Sequence, residues 1–276
     1  MAYKILEKEE LAPGIKQYDI HAPRVAEKFK PGQFLVIRLH EKGERIPLTI
    51  AMADARAGSV RIVFQEMGKT TFELGAMNKG DSIMDVLGPL GVPTEIKKYG
   101  LVAGVAGGVG AAPLLPILKA LKETGNRVIT ILGSRTKDLL IFRRELEKVS
   151  SELIITTDDG TAGEKGFVTF PLKRIIEGKN KPDAVWAIGP LIMMKNICNV
   201  TRNDGVRTFV SLNPIMLDGT GMCGCCRVTV GGHVKFSCVD GPEFDGLMVD
   251  FDEIIVRNRR FLEQERISYE KYKNSL

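Results

Sequence analysis

The 276-residue chain lacks most of the features that mark specialised protein classes. It has no run of five like charges, its net charge is only +5, and aromatic residues make up 7% of it. That combination excludes a basic arm or an aromatic-studded face for nucleic acid, and reads as a solvated surface of mixed charge. The first fourteen residues carry acids where a secretory leader needs an apolar stretch. One uncharged run, Leu101 to Leu118, is long enough to raise the question of a membrane span. It holds four glycines and two prolines, and its apolar residues are mostly small, so it reads as a buried strand, a loop and a helix start. A soluble, cytoplasmic protein with no membrane or nucleic-acid partner is expected. Internal repeats and low-complexity segments are absent. A disulfide framework is missing too: the five cysteines are an odd number and four crowd between Cys223 and Cys238, a clustering that favours metal. Glycine, in contrast, is abundant: 29 residues, against roughly 7% in an average protein, which suggests tight turns or backbone that approaches a ligand closely.

The length suggests two domains or three small ones. Up to residue 96 the pattern is of short strands: Tyr3–Lys8, Ile15–His21, Gln33–Leu39, Leu48–Met52, Ser59–Phe64 and Ser82–Leu87. Turn residues separate them at Pro13-Gly14, Pro31-Gly32, Gly58, Gly80-Asp81 and Gly88-Pro89. Six such strands predict an antiparallel six-stranded β-barrel or sandwich. Over 97–211 strands alternate with helices. Strands are expected at Leu101–Ala106, Arg127–Leu132, Leu153–Thr156, Ala184–Ile188 and Arg207–Val210. Helices are expected after Gly110 to Lys122, over Asp138–Val149, over Val168–Glu177 and over Pro190–Thr201. This is the rhythm of a doubly wound parallel sheet, an α/β unit joined to a β unit. Residues 212–251 form a small glycine- and cysteine-rich module, and 252–276 a charged helical extension suited to packing on a partner.

Within the module, Cys223 and Cys226 make a C-x2-C pair, and the hairpin pattern from Val228 to Phe236 returns the chain to Cys238. A plant-type 2Fe–2S site has the spacing C-x4-C-x2-C with a distant fourth cysteine. Five residues before Cys223 stands Asp218, so the expected ligands are Asp218, Cys223, Cys226 and Cys238. A carboxylate is a harder and weaker electron donor than a thiolate, which predicts a shifted potential and a more labile site. The competing reading is a zinc knuckle of Cys223, Cys226, Cys238 and either Cys225 or His233, although its second half lacks the usual paired spacing. Cys198 reads as apolar helix filler.

Arg45-Ile-Pro-Leu-Thr49 opens a strand with an arginine and a hydroxyl four positions apart, both able to reach a pyrophosphate. Gly68-Lys-Thr-Thr71 reads as a helix start, whose free amides bind phosphate. Gly107-Gly108-Val109-Gly110 follows a strand and opens a helix, as a dinucleotide loop requires, with Ala111 and Ala112 small enough for close approach. The bland alternative is a tight turn without ligand. Ser134 and Arg135 end the second strand where an acidic ribose ligand would be usual, and they also suit a 2′-phosphate, which leaves NAD and NADP both open. Asp158 and Asp159 end the third strand, and Gly189 and Pro190 the fourth.

Nearly the whole chain resembles the ferredoxin–NADP reductase superfamily, and within it the iron–sulfur electron-transfer subunits. RIPLT at 45–49 looks like a flavin-binding motif, with Pro47 and Leu48 departing from its usual aromatic, and GKTT at 68–71 looks like the flavin-pyrophosphate turn. GGVGAAPL at 107–114 and Gly189-Pro190 look like the pyridine-nucleotide motifs. The cysteine module resembles that of dihydroorotate dehydrogenase electron-transfer subunits, except that those carry four cysteines. Asp218 and the C-terminal extension are similar to the family of small subunits of NADH-dependent reduced ferredoxin:NADP oxidoreductase. The resemblance implies FAD held by Arg45, Pro47, Leu48, Thr49, Val63, Phe64, Gly68, Thr70 and Thr71. It implies NAD(H) along Gly108, Val109, Gly110, Ser134, Arg135, Asp158, Asp159, Gly189 and Pro190, and a 2Fe–2S cluster. It implies a larger partner with a second flavin and 4Fe–4S clusters, through which ferredoxin and NADP(H) react in electron bifurcation. No catalytic acid or base is expected, because a hydride step needs orientation and electrostatics. A dihydroorotate dehydrogenase subunit and a non-enzymatic zinc-binding subunit are the alternatives.

Overall fold

The computed structural model describes residues 3–275. Strands β1 (Tyr3–Ala12), β2 (Ile15–His21), β3 (Phe34–Arg38), β4 (Arg45–Asp54), β5 (Ser59–Gln65), β6 (Ser82–Ile83) and β7 (Asp85–Leu90) form one antiparallel sheet. Their order, β6-β1-β2-β5-β4-β3-β7, curls into a nearly closed barrel, with helices α1 (Pro23–Lys28) and α2 (Lys69–Ala76) between strands. The barrel has seven strands where six are expected, because the Ser82–Leu87 segment splits. Its first half pairs with β1 and its second with β3, at opposite edges of the sheet, and the exposed Met84 turns the chain between them. Gly88-Pro89 is not a turn: β7 runs through it to Leu90, and the register with β3 slips there, since proline has no N–H for the ladder. Ile20, Leu35, Ile37, Ile50, Ile62 and Leu74 fill the barrel. The buried Tyr18 phenol donates to the carbonyls of Leu74 (2.7 Å) and Met77 (2.9 Å), fixing the end of α2 to the barrel wall.

The second sheet takes β8 (Leu101–Gly107), β9 (Arg127–Ser134), β10 (Glu152–Thr157), β11 (Glu164–Lys165), β12 (Ala184–Ile188) and β13 (Arg207–Ser211), all parallel. Helices α3 (Ala111–Glu123), α4 (Arg143–Val149), α5 (Thr169–Glu177) and α6 (Leu191–Arg202) connect them. One face packs on Leu114, Leu118 and Leu146, the other on Leu172, Ile176 and Ile197, so helices cover both sides. The order β11-β10-β9-β8-β12-β13 reverses direction between β8 and β12. That reversal opens the crevice where such sheets bind ligands. The helix expected over Asp138–Val149 is shorter: a 3-10 turn at Lys137–Leu139 precedes α4, and Phe142 adopts φ 55. Four consecutive apolar residues, 139–142, cannot share one helical face, and the chain breaks so that Ile141 is buried.

The remaining residues form the hairpin β14 (Arg227–Val230) and β15 (His233–Phe236), then α7 (Ser237–Asp240), β16 (Glu243–Asp245), α8 (Phe251–Arg257) and α9 (Leu262–Lys273). β16 adds antiparallel to β13, so the cysteine-rich segment is stitched into the nucleotide sheet. The tail is two helices, and α9 rests on its own chain: Tyr269 stacks on Phe72 of α2, with ring centroids 4.8 Å apart. Leu276 lies outside the described residues.

One seam joins all three parts. Thr94 N donates to Pro31 O (2.9 Å), and Val92 N to Gly241 O (2.6 Å). Glu243, half-buried between them, accepts from Thr94 Oγ1 (2.9 Å) and from Trp186 Nε1 (3.0 Å) on the same oxygen. No helix among the described residues is long and apolar enough to cross a membrane.

Candidate functional site

The first site lies between β4 and α2. Arg45 begins β4 as an exposed side chain, and Pro47, Leu48 and Thr49 are half-buried opposite Val36, Leu35 and Phe34. Gly68 caps α2, and a Cβ there would meet open space, the cradle that a phosphate group needs. The Thr71 hydroxyl accepts from the amides of Met67 (2.9 Å) and Gly68 (3.0 Å), and donates to Gly68 O (2.9 Å). Thr71 therefore shapes the turn, and the amides of Lys69 and Thr70 remain for an anion. The two motifs meet through a contact that the sequence reading missed: buried Thr70 donates from Oγ1 to Glu44 Oε2 at 2.5 Å, beside Arg45. Only the position of Glu44, next to the arginine, signals it. Phe64 does not face this site; its ring is buried in the barrel core, edge-on to Tyr18 at 5.2 Å. Val63 packs instead with Ala111 and Ala112 at the junction with α3.

The second site opens on the same junction, because the 3-10 turn Gly108–Gly110 lies against β5 and α3 against β4. Gly108 adopts φ 56 with open space at its Cβ position. Gly110 is obligatory for another reason: a Cβ there would stand 2.2 Å from Ile188 O, where β12 ends. A Cβ on Gly189 would lie 3.2 Å from Gly107, so the β8 and β12 loops touch, with Val109 and Pro190 beside them. At the far end of the crevice Ser134 donates to Thr136 O (2.6 Å) and Arg135 is exposed. Asp159 accepts from Thr161 N (2.9 Å) and Oγ1 (2.7 Å), and these bonds hold its carboxyl below the usual range. Asp159 thus supports its own loop, whereas the neighbouring Asp158 is exposed.

The third site is the cysteine module. Gly219, Gly221 and Gly224 all adopt positive φ, which folds the loop back toward the cysteines. Asp218 accepts from Thr220 N on Oδ1 and Cys223 N on Oδ2, each at 2.8 Å. Those amides, Thr220 first, hold its carboxyl below the usual range, ionised as a ligand must be. Cys226 and Cys238 are free, buried, and 3.2 Å apart at Sγ, while Cys223 is exposed. Burial first, then the Cys226 sulfur, pushes the Cys238 thiol well up. Two buried sulfurs this close, neither in a disulfide, fit adjacent ligands of a metal cluster. No three His, Cys, Asp or Glu side chains among the described residues surround one point closely enough for a single ion. A two-iron cluster instead takes its ligands in pairs, and the chain supplies an Asp218–Cys223 pair and a Cys226–Cys238 pair. A zinc knuckle through His233 fits poorly. His233 is at the hairpin tip, three strand residues and roughly 10 Å from the cysteines at its base.

A barrel with a phosphate cradle, a parallel sheet with a glycine crevice facing it, and a thiolate module define a flavin- and pyridine-nucleotide-linked oxidoreductase of the ferredoxin–NADP reductase type. Comparison with known proteins narrows this class. The profile "Oxidoreductase NAD-binding domain" matches residues 105–199. The profile "Iron-sulfur cluster binding domain of dihydroorotate dehydrogenase B" matches residues 213–250. A Thermotoga maritima protein named dihydroorotate dehydrogenase B (NAD(+)), electron transfer subunit homolog, is 53% identical, over 98% of this chain and 95% of that protein. The dihydroorotate dehydrogenase B electron transfer subunit of Clostridium perfringens is 33% identical, over 90% of this chain and 97% of its own length. A solved chain of the NADH-dependent reduced ferredoxin-NADP oxidoreductase, described for flavin-based electron bifurcation, is 52% identical. It superposes with a TM-score of 0.93 over 99% of this chain and 98% of that one. The chain belongs to the family of iron–sulfur electron-transfer subunits that these proteins share. Its cofactors are FAD and a 2Fe–2S cluster, and NAD(H) is its nucleotide.

Proposed function

We propose that the chain is the NAD(H)-reacting subunit of an electron-bifurcating ferredoxin–NADP oxidoreductase. Its partner in this reading is a larger subunit with a second flavin and 4Fe–4S clusters, through which ferredoxin and NADP(H) react. Asp218 carries the reading: a carboxylate stands where dihydroorotate dehydrogenase subunits have a first cysteine, and it is turned toward Cys223. The 52% identity to the ferredoxin-NADP oxidoreductase chain, over nearly the full length of both, supports it.

When bound, FAD exchanges a hydride with NAD(H) and the cluster carries single electrons. The chain's own residues bind and orient. Arg45 and the amides of Lys69 and Thr70 offset the negative charge of the flavin pyrophosphate, with Thr71 and Gly68 setting the turn. Pro47, Leu48 and Thr49 line the adjoining strand, and Val63 acts from the junction with α3. Gly108, Val109, Gly110, Gly189 and Pro190 shape the crevice for the nicotinamide nucleotide. Ser134, Arg135 and Asp158 border its ribose end, and Asp159 acts through its loop. Asp218, Cys223, Cys226 and Cys238 would hold the cluster, which would supply one-electron transfer. The functional units are residues 1–96 for flavin, 97–211 for NAD(H), 212–251 for the cluster and 252–276 as extension.

The second reading, a dihydroorotate dehydrogenase electron-transfer subunit, is favoured by the profile match over 213–250. The two are separated by isolating the complex from native extract without oxygen, assaying flavin and iron, and testing both reactions. NADH with reduced ferredoxin is expected to drive NADP+ reduction. Dihydroorotate-driven NAD+ reduction would overturn the proposal in favour of the second reading. An iron-free, colourless chain would overturn both.

A further inference from the structure

Three arginines converge beside the cysteine module: Arg227 at the start of β14, Arg257 at the end of α8 and Arg260 just beyond it. With Cys223, Cys225 and Phe261 they line a cavity of about 250 Å³. Arg257 Nη2 donates to Cys225 O at 3.2 Å. Burial lowers its pKa, and the charges of Arg260 and Arg227 lower it further. None of the three has a carboxylate within ion-pair distance among the described residues. Like charges gathered round one concavity repel one another and raise the local concentration of anions. Phe261, which lines the cavity, is 47% exposed, and Met222, Val256 and Leu262, each next in sequence to a lining residue, are 89%, 67% and 54% exposed. A polar-lined hollow with large exposed apolar side chains on the same segments has the anatomy of an interaction surface. It also lies over Cys223, the exposed member of the ligand set, where an electron has the least protein to cross.

We propose that this cavity seats an acidic side chain of the larger partner subunit, docking it over the cluster edge; the inference rests on the partner and the metal site of the proposed function. The anion is a side chain rather than a free ion because the exposed Phe261 in the lining, and the exposed apolar residues on the same segments, suit a protein surface and give a small anion nothing to bind.

The test uses the purified complex and the isolated holo-chain, with Arg227→Glu and Arg260→Glu singly and together. Both residues are exposed, and neither belongs to the flavin, nucleotide or ligand sets. Each reversal is expected to raise the dissociation constant for the partner by roughly tenfold or more, and Arg260→Gln by less. Added salt is expected to weaken the wild-type complex more than the double variant. Iron content and NADH-driven bleaching of the subunit's own flavin are expected to stay at wild-type levels, which separates lost docking from a damaged cluster. Three results would overturn the proposal: wild-type partner affinity in the double variant with iron intact; partner affinity unchanged while inorganic phosphate stabilises only the wild-type chain; or a dimer of this chain alone that the reversals dissolve. Absence of iron from the wild-type chain would instead refute the metal assignment.

Discussion

Glutamine in place of Glu243 removes a negative charge from the seam and keeps an acceptor for Thr94 and Trp186. Burial pushes the Glu243 carboxyl up from 4.5 to about 7, against the two hydrogen bonds, and the charge of Glu95 adds to the rise. The Tyr99 phenol is the other titratable group in reach, and no cation pairs with Glu243 among the described residues. At ~1.4 kcal/mol per tenfold change in proton affinity, this displacement corresponds to ~3 kcal/mol. The folded protein holds the proton more tightly than the unfolded chain. The stabilisation is therefore complete below pH 4.5 and is lost as pH rises through about 7. Glu243→Gln is expected to be more stable than wild type at pH 8.5 by up to ~3 kcal/mol, with the gap narrowing toward pH 5.5. Urea unfolding of the holo-chain across that range measures it. Trp186, the sole tryptophan, donates to this carboxylate, so its emission reads the site directly. Wild-type emission is expected to titrate with a midpoint near 7, and the variant's to stay flat. Flat wild-type emission, or no stability gain at pH 8.5, would refute the reasoning.

Asp218→Ala is expected to lose or alter the cluster while Cys225→Ser keeps it, as read by iron content and electron paramagnetic resonance of the reduced chain; the reverse pattern means the ligand register is wrong. Asp218→Cys replaces a weak donor with a strong one and is expected to lower the cluster potential in a redox titration. Gly110→Ala drives a Cβ to within 2.2 Å of Ile188 O, and is expected to cost about 1–3 kcal/mol and raise KM for NADH at unchanged flavin content. Arg45→Ala is expected to weaken FAD retention roughly tenfold on gel filtration, a loss of about 1.5 kcal/mol. Thr70→Val, which leaves Glu44 without its donor, is expected to weaken it less; wild-type retention in both would remove the flavin assignment from this end of the barrel.

Local chemistry made much of this legible in advance. Glycine and proline mark most strand ends, the Gly107–Gly110 run sits between a strand and a helix, and the cysteine spacing needs no tertiary knowledge. What escaped depends on contacts distant in sequence. The division of the Ser82–Leu87 segment is decided by which barrel edge each half meets. Phe64 sits in the expected strand, but the pleat turns its ring to Tyr18 in the core, a one-residue distinction that a short apolar run does not encode. The Thr70–Glu44 bond spans 26 positions, and the three arginines come from a hairpin and a helix end that meet only when the tail folds back.

The stack of Tyr269 on Phe72 ties the last helix to the one whose opening turn is the proposed phosphate cradle. Whatever steadies that turn steadies the tail as well. Susceptibility of the carboxyl-terminal segment to a protease thus becomes a gauge of coenzyme loading.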